Sequence, residues 1–161
     1  MTYAVSNLAG AQPIANTSTT QAHALGTIVR ATDPTYGEGE FIYLLGVAST
    51  AVGSVVTYEA SGYQTALAPV GSNLPKPVAI AMSANVASQY GWYQISGRAV
   101  AKKTSGVAIG AAAAVGVKTT GLIAATGSGK EVQGAITVAV STASTSVTLL
   151  INRPHMQGRI T

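Results

Sequence analysis

Residues 41–47 of the chain read FIYLLGV, a run that is apolar on both faces of an extended segment. Such a run is typical of a central strand that is covered by protein on each side. Ser54–Glu59 (SVVTYE) is a second β-prone run, and the connection between the two, Ala48–Gly53, is short enough for a hairpin. We therefore expect these two runs to pair with each other.

Further β-prone runs alternate with turn signals along the rest of the chain. Val78–Ser83 is one, and Trp92–Val100 (WYQISGRAV) is another, with one solvated face and with Gly97 marking a bulge or a close backbone contact. Val132–Val140 and Ser146–Ile151 flank a polar connector and give the clearest hairpin in the sequence. Alternate residues of the first of these strands share one face: Val132, Ile136, Val138 and Val140.

The segment Val107–Val117 (VAIGAAAAVGV) is ambiguous. Its four consecutive alanines favour a helix, but Gly110 and Gly116 bracket too few residues for a stable one, so a short strand or a loop is predicted. Together the runs predict an all-β protein, a β-sandwich or a partly closed β-barrel of roughly eight short strands with little helix.

The first forty residues differ in composition from the rest. Asn, Ser, Thr, Gln, Gly and Pro dominate Ser6–Gln21, where no period of a strand or helix persists. We divide the chain into an extended N-terminal arm and lead-in, residues 1–40, and a β domain, residues 41–161. Apolar residues of the arm could dock on a surface, or the arm could be a mobile terminus. On the first alternative, deleting residues 1–21 leaves a folded domain with weakened partner binding.

The composition indicates a neutral exterior. Only 9% of the residues are charged, whereas 47% are hydrophobic. Because charged side chains are depleted at buried contacts and net charge keeps monomers apart, such a surface favours association with other protein. No apolar run reaches the roughly 20 residues of a membrane-spanning helix, so a membrane is not an expected partner. The absence of Cys excludes a small disulfide scaffold.

Neither nucleic-acid binding nor catalysis is expected. Nine basic residues stand against five acidic ones, and no basic cluster exceeds the pair Lys102–Lys103, so no stripe follows a phosphate backbone. Thr126–Glu131 (TGSGKE) fails as a phosphate loop, because Ala124 and Glu131 occupy positions that require Gly and Ser or Thr. We interpret it as a glycine-rich turn. No catalytic residue, metal site, cofactor or small-molecule substrate is predicted.

Glu38 and Glu40 lie on either side of Gly39 in the segment PTYGEGEF. At alternate positions of an extended segment their carboxylates share one side, where they could bind a cation or an arginine such as Arg30 or Arg98. The other interpretation is a solvated entry into the following strand, with a bend at the glycine.

Two long segments resemble a known family. LGTIVRATDPTYGEGEFIYLLGVASTAVGSVVTY (Leu25–Tyr58) and PVAIAMSANVASQYGWYQISGRAVAK (Pro77–Lys102) are similar to capsid decoration proteins of tailed bacteriophages, also called head-stabilising or cement proteins. The resemblance implies a β-rich virion protein, made in the host cytoplasm, that self-associates as a homotrimer. It also implies binding to the major capsid protein on the outer surface of the assembled head, where it would stabilise contacts between neighbouring subunits.

Within this interpretation, large aromatic residues, apolar residues of the arm and the paired carboxylates are the candidate partner-binding side chains. They are Leu8, Ile14, Leu25, Tyr36, Glu38, Glu40, Tyr90, Trp92 and Tyr93. Core burial is the competing use of Trp92. Two other functions remain open: a receptor- or glycan-binding module that uses Trp92 and the tyrosines as an exposed stacking platform, and a self-assembling major shell subunit.

Overall fold

The computed structural model describes residues 2–159; Met1, Ile160 and Thr161, the ends of the two predicted ranges, lie outside the described residues. The described part is all-β, as predicted, with no helix and with twelve antiparallel strands in one sandwich-like sheet that is not closed. The strands are β1 (Ala4–Val5), β2 (Thr17–Ser18), β3 (Ile28–Asp33), β4 (Gly37–Leu45), β5 (Val55–Tyr58), β6 (Thr65–Leu67), β7 (Val78–Ala81), β8 (Tyr90–Lys102), β9 (Ala114–Thr119), β10 (Leu122–Ala125), β11 (Glu131–Thr137) and β12 (Ser146–Met156).

The long strand β8 organises the sheet. The main order is β1-β3-β4-β8-β12-β11-β9-β10, and β2 and β7 also pair with β8. A short branch, β7-β5-β6, extends from it. Apolar residues from β5, β7 and β9–β12 share one buried cluster with the second half of β8, so the sheet folds over to cover its own core.

Strand β4 is covered on both sides, which confirms the interpretation of residues 41–47 as a central strand. Phe41 and Tyr43 belong to one buried cluster, and Ile42 and Leu44 belong to another. The predicted pairing of this run with Ser54–Glu59 is wrong, because β4 pairs with β3 and β8.

The reason lies in the turn before β4. Asp33 Oδ1 accepts hydrogen bonds from the backbone N–H groups of Thr35 and Tyr36, which closes a tight connection between β3 and β4. Each residue of β3 then pairs with β4, from Ile28 opposite Ile42 to Asp33 opposite Gly37. The boundary placed at residue 40 therefore falls inside β4, within one hairpin.

The other local predictions are largely confirmed. β11 and β12 form the expected hairpin. Residues 107–113 form no helix, and β9 begins at Ala114. Gly129 lies in a turn with φ of 70°, and Lys130 N–H donates to the carbonyl oxygen of Gly127. The strand count is twelve rather than eight, because short strands in polar segments leave little trace of a period.

The N-terminal segment, residues 2–27, lies across the face of the chain's own sheet. Ile14 is 2% exposed within the cluster that contains Trp92. Trp92 Nε1 donates to the carbonyl oxygen of Gln12 at 2.9 Å. The His23 ring packs against Tyr43 and Trp92, with ring centroids 5.1 and 5.4 Å apart. The segment therefore supplies part of the core.

Three neighbouring strands change which of their side chains are buried at one level, which we call the crease. The alternation of buried and exposed residues changes in β12 at Arg153 (φ 43°) and in β11 at Gly134 (φ 76°). In β8, Gly97 (φ 97°) separates a half that is buried on both faces from a half with one exposed face. Gly97 is also the close contact that was predicted, since a Cβ there would lie 2.5 Å from the carbonyl oxygen of Glu38. The prediction of one solvated face for this strand holds only after the crease; residues 91–95 are all buried because protein covers both sides.

Replacing Ile14 tests whether the N-terminal segment is part of the core. Ile14→Ala should lower the free energy of unfolding by about 2–4 kcal/mol, since it removes a buried side chain and leaves a cavity. Urea unfolding monitored by Trp92 fluorescence measures this change. Val86→Ala, at a side chain that is 37% exposed, should cost less than about 0.5 kcal/mol. Equal, small losses for both variants would mean that the segment is not packed as described.

Replacing Gly97 tests the crease. A positive φ alone costs an alanine roughly 1–2 kcal/mol. Gly97→Ala should destabilise the protein by well over this amount, because the added Cβ would also clash with backbone atoms. Gly10→Ala is the matched control, since Gly10 also has positive φ (72°) but no atom within 4 Å of the added Cβ. Thermal unfolding of both variants gives the comparison; similar melting temperatures would contradict the close approach at Gly97.

Candidate protein-binding face

Three of the predicted partner-binding side chains are core residues. Ile14, Trp92 and Tyr93 are 2%, 0% and 0% exposed, so none of them presents a surface to a partner in this conformation. For Trp92, the alternative of core burial is the one that the structure contains. The correction has a simple cause, because the apolar segment that covers Trp92 belongs to the same chain.

Four others are partly buried. Leu8, Leu25 and Tyr90 pack against the same cluster as Trp92 and hold the N-terminal segment on its own sheet. Tyr36 lies in the β3–β4 turn, where its backbone N–H donates to Asp33. The structure does not bring these side chains together into one exposed surface.

Glu38 and Glu40 share one side of β4, as predicted, and both approach Arg30. Glu40 Oε1 lies 3.5 Å from Arg30 Nε, and Glu38 Oε1 lies 3.9 Å from Arg30 Nη1. The second arginine is Arg153, whose Nη2 lies 3.1 Å from Glu40 Oε2; the suggestion of Arg98 is wrong. These residues line an open depression of about 390 Å³ at the crease, where the ion pairs connect β3, β4 and β12.

Asp33 anchors the start of the described chain. Burial on its own raises the pKa of this carboxyl group, but hydrogen bonds from the backbone N–H groups of Thr2, Tyr36 and Thr35 outweigh burial and hold the pKa below its ordinary value. Thr2 N lies 2.6 Å from Asp33 Oδ2. Nearby, burial and the charge of Asp33 raise the pKa of Tyr3 to about 12, so the Tyr3 phenol stays neutral and can donate to the carbonyl oxygen of Arg98.

Beyond the crease, the sheet exposes a face that no part of the described chain covers. On β11, Ile136 is 44% exposed, and Leu150, directly opposite on β12, is 49% exposed. Val138 and Val140, two and four residues further, are 40% and 64% exposed. We call this surface the outer face; it consists of Ile136, Val138, Val140, Thr148 and Leu150, with Arg98, Val100 and Lys102 beside them on β8.

The prediction that Val132 shares a face with Ile136 is wrong. Val132 is 1% exposed, whereas Ile136 points to solvent. The register of β11 against β12 shifts between Gln133 and Ala135, and the positive φ of Gly134 turns the strand over at that point. An isolated glycine inside a strand is a signal for such a bulge, so the sequence held a clue to the outer face.

The two adjacent lysines have different environments. Lys102 is exposed, whereas the side chain of Lys103 is buried and its ammonium group donates to the backbone carbonyl oxygens of Val107, Ser141 and Thr142. These bonds connect the segment that follows β8 to the loop between β11 and β12, and they compensate the cost of burying the charge. The ammonium group of Lys103 is therefore occupied by contacts within the chain and is not available to a partner.

The described residues hold no group of three or more His, Asp or Glu side chains that could bind a metal ion. In residues 2–159 there is also no helix of the length and hydrophobicity needed to cross a membrane. No family model matches the chain, and no curated protein matches it.

Removing the central carboxylate tests the ion pairs at the crease. Glu40→Gln should lower the free energy of unfolding by about 1 kcal/mol at low salt, because two arginines lose one 21%-exposed partner. The loss should shrink in 1 M NaCl because salt screens it.

Glu59→Gln provides the control for Glu40→Gln, since Glu59 forms a single, more exposed pair with Lys76. That variant should change stability by less than about 0.5 kcal/mol. Urea denaturation measures the free energy of unfolding of both variants, because urea adds no ions that would screen the charges. An effect of Glu40→Gln that does not depend on salt would argue against a Coulombic role.

Proposed function

We propose that the protein is a non-enzymatic structural component of a tailed-bacteriophage virion, a decoration protein that binds the outside of the assembled head. The observation that carries the proposal is the outer face: exposed Ile136 and Leu150 on two paired strands, with exposed Val138 and Val140 just after β11, in a protein with few charges. Contiguous apolar patches on a soluble protein commonly mark protein-binding surfaces. The resemblance of residues 25–58 and 77–102 to decoration proteins supplies the partner, the major capsid protein.

The mechanism requires only binding. A ligand that binds the intact assembly and not its separated parts stabilises the assembly by mass action. Many copies on a symmetric lattice, in homotrimers as the resemblance implies, would add avidity to contacts that are individually weak. A rigid sheet face suits this role because little side-chain or backbone order is lost when it docks.

The glycan-binding alternative has less support. It relied on Trp92 and the tyrosines as an exposed stacking platform, but Trp92, Tyr43 and Tyr93 are fully buried. A self-assembling shell subunit remains the other alternative. Electron microscopy of the purified protein separates it from a decoration protein, because a shell subunit forms closed particles unaided.

Binding to heads that lack the protein tests the proposal. Purified wild-type protein should bind such heads and raise the temperature at which they release DNA. The double variant Ile136→Thr/Leu150→Thr should bind at least about tenfold more weakly, since part of two apolar side chains is no longer buried at the contact. Threonine retains the preference for strands, so the fold should remain intact.

Val70→Thr/Val86→Thr is the matched control for this variant, because it changes two exposed valines (36% and 37%) outside the outer face. It should bind like the wild-type protein. Binding of wild-type protein without any gain in thermal resistance of the heads would refute the stabilising role.

A further inference from the structure

The outer face has an asymmetric charge distribution. The register places Arg98 of β8 opposite Leu150, and Leu150 opposite Ile136. Further along the same face of β8, Val100 lies opposite Thr148 and Lys102 lies opposite Ser146. Side chains that are directly opposite in an antiparallel pair share a face, so the apolar residues of β11 and β12 are flanked on the β8 side by two bases.

Neither base has an acidic partner within the described chain. Arg98 and Lys102 are both exposed, and no carboxylate oxygen of residues 2–159 lies within 4.0 Å of either charged group. Their side chains resemble the positive rim of an apolar patch, the arrangement that gives a binding surface its electrostatic specificity.

The acidic residues of the chain are mostly engaged elsewhere. Asp33 accepts hydrogen bonds from three backbone N–H groups. Glu38 and Glu40 contact arginines at the crease, and Glu59 contacts Lys76. Glu131 alone borders the outer face, across the crease from Ile136.

The same face of a second copy is therefore a poor electrostatic match for this face. The chain has a net charge of +4, and the same face of a second copy would bring two more bases. Like charges placed together at an interface cost free energy, whereas a carboxylate opposite each base would favour and orient the complex. The charge pattern favours a partner of different composition.

We propose that the outer face binds a different protein at an apolar patch flanked by carboxylates, with Arg98 and Lys102 facing those carboxylates. The inference rests on the proposed function in that the major capsid protein would then present this patch on the exterior of the head. It adds a chemical requirement that the apolar face alone does not impose.

The test measures binding of purified protein to phage heads that lack it, between 50 and 300 mM NaCl. Wild-type affinity should fall as salt rises, because salt screens the charge pairs. Arg98→Gln/Lys102→Gln should bind about tenfold or more weakly at 50 mM NaCl and show a flatter salt dependence. Its melting temperature should match the wild-type value, since both side chains are exposed.

Lys118→Gln/Arg159→Gln is the charge-matched control, as it removes two exposed bases that lie outside the outer face. It should retain the wild-type affinity and salt dependence. Equal effects of the two double variants would overturn the inference and leave the proposed function standing.

Two further outcomes also decide the question. Sedimentation that finds salt-insensitive oligomers of the free protein, dissociated by Ile136→Thr/Leu150→Thr, would identify a second copy as the occupant and overturn the inference. Failure of the wild-type protein to bind heads at any salt would remove the proposed function together with the inference.

Discussion

Positive φ angles at Gly97, Gly134 and Arg153 lie at one level of three neighbouring strands, where the burial of their side chains changes. Before the crease the shared face of β4 and β8 is covered by the N-terminal segment. Beyond it one face is open to solvent, so that Ala99, Ala135 and Ile151 enter the core while Arg98, Ile136 and Leu150 point outward. Because the side-chain period of a strand is two, a shift of one residue moves every later side chain to the opposite face.

The crease therefore connects the fold to the proposed function. A regular β11 would place Ile136 on the same side as the buried Val132, and the apolar stripe would be core. With the bulge, Ile136 and Leu150 are exposed side by side on two paired strands. The ion pairs of Glu40 with Arg30 and Arg153 lie at the same level, and Arg153 itself has positive φ, so these charges help to hold the crease in place.

The sequence predicted the parts of the fold that depend on local pattern. The apolar run at residues 41–47, the hairpin of β11 and β12, and the glycine turn at residues 127–129 each follow from a period or a turn signal. Pairing of β4 with β3 was missed because β3 lies within residues 1–40, which were grouped with the polar segment Ser6–Gln21 as an arm and lead-in. Whether β4 pairs with β3 or with the run Ser54–Glu59 depends on the turn at Asp33, which is formed by local hydrogen bonds and not by a hydrophobic pattern.

The candidate site was harder to predict for a physical reason. Large aromatics are favoured both in cores and at interfaces, so the residue types of Trp92 and Tyr93 do not distinguish the two uses. In the structure both side chains are covered by other parts of the same chain. The pairing of Glu40 with Arg30 followed from alternate positions, but Arg153 is distant in sequence. The outer face depends on two bulged positions, and one of them, Arg153, is not a glycine and gives no sequence signal.

Thiol labelling tests the central claim that the outer face is exposed and is the contact surface. The chain contains no cysteine, so Leu150→Cys introduces a single thiol on this face, and Ser61→Cys places a control thiol at an exposed turn. Both should react rapidly with a maleimide in the free protein, and only the thiol at position 150 should become protected when the protein is bound to phage heads. A thiol at position 150 that is unreactive in the free protein, or equally reactive in both states, would contradict the account.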